Sequence, residues 1–511
     1  MLLNRQAVES GRIPVPEAAR RALSYPERVL QIGEGIFLRG FADWMIHRLN
    51  VSGRFQGRVV VAAPRPTGAR NVARLNAQDG LYTVWLRGYR NGELTDAREI
   101  VTSVSRGVDP HADWPGFLAL AEQPEIEIVL SNTTEAGLRY EPIPYPASEA
   151  PATYPAKLTA YLHRRHQAFG GSPAHGLTIV PCELVDDNAR VLRELVLRHA
   201  EDWGLGDDFA AWVVSANTFC NTLVDRIVTG MPSDLDENGR RSLLGYDDAL
   251  LTVGEPFHLW AIEADERLRR LWPFDSIGLD VKYTDDVTPY RVRKVRILNG
   301  THTSLAPVAL MCGLETVREA VEDPQVGRFV RWVAESELVP AAAAELGNRA
   351  EAEAFAAATL DRFRNPYLRH ELRAIQQNNL AKARVRLVPA VTRLTQITGQ
   401  APPALSLAWA CLLLGFAPAG AGGVEGNPGP AADNDPAARD ELTAAWRSEG
   451  EAGLAGAVRR LLAATAVWGM DLNTVPGFAE RVACAVQSIR ELGPRRALGA
   501  WLEAHAGGEM V

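Results

Sequence analysis

The sequence predicts an α/β protein, with a doubly wound parallel sheet over residues 1–284 followed by a mostly α-helical C-terminal domain over residues 285–511. Three observations carry this. Short β-branched or apolar runs alternate with helix-patterned stretches through the first half, as parallel strands joined by crossovers require. A glycine pair directly follows the first of these runs. Beyond about residue 285 the character changes to Ala, Leu, Arg and Glu recurring at helical spacing. At 511 residues the chain can hold two large domains, each with its own core.

Candidate strands are Arg28–Ile32, Arg58–Ala63, Ile126–Ser131, Leu177–Pro181 and Trp212–Ala216. Helix-like stretches such as Phe37–Leu49 and Asn188–His199 lie between them, and a doubly wound sheet is the natural way to bury such a series. In the second half the spacing predicts helices over Val317–Val333, Ala341–Arg362 and Leu454–Val467. The run Ala404–Phe416 is apolar but shorter than the ~20 residues that span a bilayer, so it reads as a buried helix. The Gly- and Pro-rich stretch Gly415–Pro436 reads as a surface loop.

Composition narrows the function classes. The chain is 47% hydrophobic and 23% charged with a formal net charge of -8, which argues against nucleic acid as a partner because phosphate binding needs a concentrated basic face. Its five cysteines, Cys182, Cys220, Cys312, Cys411 and Cys484, are far apart, so neither a disulfide framework nor a zinc site is expected. The first residues lack the continuous apolar core of a signal peptide. A soluble, cytoplasmic protein with no membrane partner is expected, its oligomeric state left open by apolar helices that could face core or partner.

The segment Ile32-Gly33-Glu34-Gly35-Ile36-Phe37-Leu38-Arg39-Gly40 places a strand end, a glycine pair and a helix start in the order a dinucleotide fold requires. Gly33 permits a tight turn, and Gly35 lets the backbone approach a pyrophosphate. Leu38 stands where the third glycine of the G-x-G-x-x-G pattern belongs. No acidic residue follows the second strand, where one would grip the adenosine ribose of NAD; the chain runs Ala63-Pro64-Arg65 instead. Arg65 could meet the 2′-phosphate of NADP or be a solvated loop charge, and Asp79 is an acidic alternative in an Asp-Gly turn, so the residues alone leave NAD and NADP open. Asn132 and Thr133, at the end of a later strand, could touch the nicotinamide ribose, or Thr133 could cap a helix.

The strongest chemical stretch is Lys294-Val-Arg-Ile-Leu-Asn299-Gly-Thr-His302. On an α-helix His302 lies about 80° and Asn299 about 140° round from Lys294, within one broad face. A lysine beside apolar surface and other cations holds its proton less tightly and can exchange it with a carbonyl or alcohol oxygen. An amide such as Asn299 can donate to developing negative charge on that oxygen, and His302 can orient lysine or substrate hydroxyls. His163 and His166, three apart in His-Arg-Arg-His, could hold a metal but read better as a solvated basic helix face.

With these residues in view, the sequence resembles the mannitol dehydrogenase family of long-chain polyol dehydrogenases. Lys294-x4-Asn299-x2-His302 matches that family's catalytic signature, and Ile32 to Arg39 resembles its cofactor loop. The match is chain-long, extending through Phe219-Cys-Asn221-Thr-Leu-Val-Asp225-Arg226, Glu255-Pro-Phe-His-Leu-Trp260 and Arg364-Asn365-Pro366. Tyr25 to Gly35, Ser131-Asn-Thr-Thr-Glu135 and Pro181-Cys-Glu183-Leu look most like the branch that reduces the hexuronate-derived keto acid tagaturonate.

The resemblance implies a Rossmann-like first domain and NAD as cofactor, bound by Ile32, Gly33, Gly35, Ile36, Phe37, Arg39, Asn132 and Thr133. It implies a catalytic Lys294, Asn299 and His302, a sugar-acid substrate and no catalytic metal. The substrate carboxylate needs cations, for which Arg369, His370, Lys382, Arg384 and Arg386 are candidates. Polyol members carry a second oxyanion asparagine in a Cys-Asp-Asn segment that appears here as Cys182-Glu183-Leu184, so Glu183 or Asn188 takes over part of that role, or the alkoxide is stabilised differently. Fructuronate or a neutral polyol as substrate, or a non-catalytic dinucleotide sensor, are the competing readings.

Overall fold

The computed structural model describes residues 1–232, 234–418 and 435–505, so most of the Gly415–Pro436 stretch lies outside the described residues. The chain forms two compact units, Met1–Arg87 with Leu94–Val287, and Gly88–Glu93 with Thr288–Val511.

The strands in chain order are β1 (Glu27–Ile32), β2 (Arg58–Ala62), β3 (Tyr82–Arg90), β4 (Glu93–Val101), β5 (Val104–Val108), β6 (Ile128–Ser131), β7 (Thr178–Pro181), β8 (Thr218–Phe219), β9 (Thr222–Asp225), β10 (Val228–Gly230), β11 (Thr252–Gly254), β12 (Leu259–Glu263) and β13 (Val281–Thr284). The principal sheet has the order β5-β2-β1-β6-β7-β8, and every pairing in it is parallel. Numbered within the sheet alone, this is 3-2-1-4-5-6, the order of the Rossmann fold, and the direction of winding reverses between β1 and β6. Smaller sheets of order β10-β11-β3-β4 and β13-β12-β9 complete the strands.

The apolar runs read as strands are buried on both faces, which is why they show no alternation of polarity. Val29, Val59, Val61, Ile128 and Leu130 pack with Phe41, Trp44, Met45 and Leu49 on one side. Leu30, Ile32, Val60, Ala62 and Val129 pack with Trp114, Phe117, Tyr161 and Leu192 on the other. Neighbouring residues of one strand therefore serve opposite cores, and the sheet is doubly wound as expected.

Three sequence expectations are corrected. Trp212–Ala216 is the last part of helix Asp207–Ala216, and the sheet's edge strand is the short Thr218–Phe219 that follows it. Two aspartates in that helix's first turn complement its dipole, and Trp212 and Val213 are buried while Val214 is exposed. The helix expected over Phe37–Leu49 is two, Ile36–Gly40 and Ala42–Val51, broken at Phe41 by its non-helical backbone. Arg165 of the His163 helix is buried, its guanidinium donating to the carbonyls of Ala121, Gln123, Ile126 and His175, so that face is not simply solvated.

The second unit is helical. Gly300–Met311 and Pro403–Leu414 run through its core, and from Ala404 to Leu414 every residue of the latter is buried. The stretch expected as Val317–Val333 is split at Asp323–Gln325 into Val317–Glu322 and Val326–Trp332. Gly347, with φ +72, ends Val339–Leu346 before Asn348 caps Arg349–Phe363. No helix among the described residues is long and apolar enough to cross a membrane.

Candidate active site

In the first unit the glycine turn lies at the carboxyl end of β1, beside the point where the winding reverses. Gly33 has φ +132 and donates its N–H to Ala62 O at 2.9 Å. A Cβ there would lie 2.8 Å from Asn132 O, so only glycine fits between the ends of β1 and β6. A Cβ on Gly35 would meet nothing within 4 Å, which leaves its backbone open to a ligand. The third glycine of the pattern is displaced to Gly40, where a Cβ would stand 2.8 Å from Val228 Cγ1; it provides the close helix–strand approach that Leu38, itself buried, does not.

The other residues expected to bind cofactor surround this turn. Ile32 ends β1, and its carbonyl accepts from Asn132 N at 3.1 Å. Ile36 is exposed, whereas Phe37 stacks on Phe41 with ring centroids 4.9 Å apart. Arg39 is buried and braces the turn from behind, donating to Glu34 O at 3.0 Å and Thr252 Oγ1 at 3.2 Å. Arg226, from the segment that begins at Phe219, in turn donates to Gly40 O and Glu255 O at 2.8 Å each.

Asn132 donates its amide to Cys182 O at 2.6 Å. Glu183 is buried, and its carboxyl receives the Thr133 N–H at 2.8 Å and the hydroxyls of Thr133 and Ser131 at 3.1 and 3.0 Å. It fixes the loop after β6, and burial raises its pKa. Thr133 and Thr134 line a cavity of about 210 Å³ together with Arg65, Arg139 and Tyr154. Asp79 accepts from Arg5 N at 2.9 Å in a left-handed turn and is a structural residue.

Asn188, expected to touch substrate, is corrected by the geometry. Its amide nitrogen donates to Pro181 O and Glu183 O at 3.1 and 3.0 Å, and its oxygen accepts from Ala189 N and Thr222 N at 2.9 and 3.0 Å. It is buried and fully engaged in tying β7 to β9, with no group left for a ligand.

Beneath the glycine turn, Asp43 is buried and accepts from Tyr82 Oη at 3.0 Å and Gln31 Nε2 at 3.4 Å. Burial pushes its pKa up from 3.8 to about 7. Because the folded value exceeds the unfolded one, the stability this group contributes is full below pH ~4 and is lost as pH rises through 7. Asp43→Asn should therefore gain on the wild type by about 2–4 kcal/mol between pH 4 and 8 in denaturant unfolding. A difference between the two proteins that does not change with pH would refute this.

In the second unit, Lys294–Asn299 is a π-helical turn set between the α-helices Thr288–Arg293 and Gly300–Met311. This departs from the uniform α-helix on which the spacing was judged. With i→i+5 bonds in place of i→i+4 each residue turns through a smaller angle, so a residue five along is rotated less than in an α-helix, which draws Asn299 back toward the face of Lys294. Both side chains are half-buried. The neighbouring cations are anchored elsewhere, Arg293 on Glu351 at 3.0 Å and Arg296 on Glu345 at 3.1 Å. A Cβ on Gly300 would lie 3.1 Å from Leu338 Cδ1, in a second π-helical turn, Val333–Leu338.

His302 is 8% exposed, and its Nε2 has no hydrogen-bond partner among the described residues. Its ring stacks on Phe363 at 4.2 Å and meets His370 edge-on at 4.8 Å. Burial, then His370, Arg362, Arg386 and Lys382, hold its pKa well below the usual histidine value, so the imidazole is neutral. The structure thus gathers His370 and Lys382 with His302, and adds Arg362 and Arg386, the latter donating to Thr303 Oγ1 at 3.1 Å. Arg369 is not of this group: it is exposed and pairs with Glu315 and Glu371 at 3.3 and 3.2 Å. Arg384 instead donates to Ala466 O at 3.3 Å. Among the described residues no cluster of His, Cys, Asp and Glu could hold a metal ion.

A Rossmann-type unit with an open glycine turn at its switch point, followed by a helical unit carrying lysine, asparagine and a neutral histidine, has the build of a dehydrogenase of polyols or sugar acids, an oxidoreductase acting on CH–OH groups. The chain belongs to the mannitol dehydrogenase family: residues 27–271 match the mannitol dehydrogenase Rossmann domain and residues 286–490 the mannitol dehydrogenase C-terminal domain. It is 41% identical to the altronate oxidoreductase of Bacillus subtilis (strain 168), over 93% of this chain and 95% of that protein. Against the altronate oxidoreductase of Halalkalibacterium halodurans the identity is 42% over 95% of each. Among solved structures, D-sorbitol dehydrogenase in substrate-free form shares the fold with a TM-score of 0.75 at 18% identity, over 98% of this chain and 100% of that one. The mannitol 2-dehydrogenase of Pseudomonas fluorescens, in ternary complex with NAD and D-mannitol, does so with 0.67 at 22% identity and the same coverage.

Proposed function

We propose that this protein is an NAD-dependent altronate oxidoreductase, reducing the ketone of tagaturonate to the alcohol of altronate and the reverse. The observation that carries the substrate class is the buried, unpartnered Nε2 of His302 amid His370, Lys382, Arg362 and Arg386. Four basic side chains around a neutral imidazole suit a substrate that presents a carboxylate beside several hydroxyls. The curated relatives named altronate oxidoreductase, matched along nearly their whole length, support the same reading.

The first unit suits a dinucleotide because Gly35 is open, Gly33 admits close approach, and Asn132 and Thr133 border the same switch point. When bound, NADH supplies the hydride. Protonated Lys294 gives its proton to the carbonyl oxygen as that oxygen becomes an alkoxide. Asn299 donates a hydrogen bond to the same oxygen, and its benefit is greatest where the negative charge is greatest. His302, kept neutral, orients the adjoining hydroxyls through Nε2, while Lys382 and Arg386 hold the carboxylate away from the reacting carbon.

A substrate panel tests this directly. With NADH, kcat/KM for tagaturonate should exceed that for fructose by at least about 10²-fold, as expected when a site built around charge loses its charged partner. Fructuronate, which carries the same carboxylate, should fall between. Turnover of fructose equal to that of tagaturonate would move the protein to the neutral polyols. The absence of NADH oxidation with every keto sugar would leave the sensor reading.

A further inference from the structure

We propose that Glu34, within the glycine turn, reads the adenosine ribose and sets a preference for NAD over NADP; this rests on the reading that the first unit binds a dinucleotide. In Rossmann folds an acidic residue after the second strand accepts hydrogen bonds from the ribose hydroxyls. Here β2 ends at Ala62, and the next residues are Ala63, Pro64 and Arg65, with no carboxylate among them.

The same place is reached from the other side. A Cβ on Gly68 would lie 2.7 Å from Glu34 Oε1 and 2.8 Å from Ala63 Cβ, so the Glu34 carboxylate rests against the turn that follows β2, in space that the missing side chain of Gly68 leaves. Its backbone is held on both sides. Arg39 donates to its carbonyl at 3.0 Å, and the preceding Gly33 is bonded to Ala62 at the end of β2. Among the described residues no hydrogen bond or ion pair engages the carboxylate, and Glu34 is only partly buried.

A half-exposed carboxylate with all its acceptor positions available, fixed at the end of β2, matches the two vicinal hydroxyls of a ribose. A 2′-phosphate at the same point would set like charges against each other. Arg65, the cation of this turn, lines the cavity with Thr133 and Arg139 instead of pairing with Glu34.

The test is fluorescence titration of the full-length protein with NADH and with NADPH, for the wild type, Glu34→Gln and Glu34→Ala. The wild type should bind NADH at least about tenfold more tightly than NADPH, and both variants should weaken NADH by about tenfold and bring the two cofactors within roughly threefold, with unchanged thermal unfolding. A wild type that favours NADH and variants that keep its full discrimination would overturn the role of Glu34 alone. A wild type that favours NADPH would overturn it in favour of Arg65. A wild type that binds neither cofactor would overturn the dinucleotide reading, and Glu34's role with it.

Discussion

Replacing Lys294 with alanine is expected to lower kcat by about 10²–10⁴-fold while NADH binding stays as in the wild type. The size follows from the lysine's position and from the lack of a substitute. Lys294 opens the π turn and is half-buried, whereas Arg293 and Arg296 on either side are held by Glu351 and Glu345 and point to those partners. Water in the vacated space donates a proton far less readily than an ammonium group. Lys294→Arg should be nearly as slow, because a guanidinium supplies charge but does not release a proton near neutral pH. Steady-state kinetics on tagaturonate together with NADH titration measures both. If the arginine variant kept wild-type turnover, lysine would serve as a charge and not as an acid, and if the alanine variant did, the assignment to Lys294 would fall.

The parts of the fold legible in the sequence were those in which one physical demand dominated. β1, β2, β6 and β7 are buried on both faces by two separate cores, and such strands stand out as short, continuous apolar runs. The same signal misled at Trp212–Ala216, since a short apolar run fits a half-buried helix end equally well. Strands β10 and β11 of one small sheet have only three residues each, too short for a run or an alternation to show, and were not legible.

Within the site, residue type was legible and geometry was not. Gly33 and Gly35 announce a backbone requirement that no other residue meets, so the turn could be found from the sequence. Asn188 shows the opposite case: an asparagine near a strand end reads equally well as a ligand group or as a clamp, and only its four short hydrogen bonds reveal the clamp. Arg362 was missed because it lies within an alanine-rich helix that gave no sign of facing His302, yet it is among the charges that keep that imidazole neutral. The π turn has no sequence signature of its own. Read as an α-helix, the segment sets Asn299 about 140° round from Lys294, at the far edge of the broad face they share.

That displacement makes Asn299 the second decisive test. In the π turn the asparagine lies nearer the lysine's face than an α-helix would set it, half-buried, with its backbone carbonyl bonded to Thr303 Oγ1 at 2.8 Å. Its amide is neutral, so it interacts weakly with a ketone and strongly with an alkoxide. Asn299→Ala should therefore lower kcat by about 10²–10³-fold while KM for tagaturonate changes little. Asn299→Asp, nearly identical in shape, should be slower still, because a carboxylate at that point repels the charge the reaction creates. Altronate in the presence of NADH, where no hydride can leave it, should bind both variants about as well as the wild type, since no alkoxide forms in that complex. The opposite pattern, with KM raised and kcat preserved, would make Asn299 a binder of the ground-state substrate. The stabilisation of the alkoxide would then have to come from Lys294 alone, with the π turn serving only to pack Gly300 against Leu338.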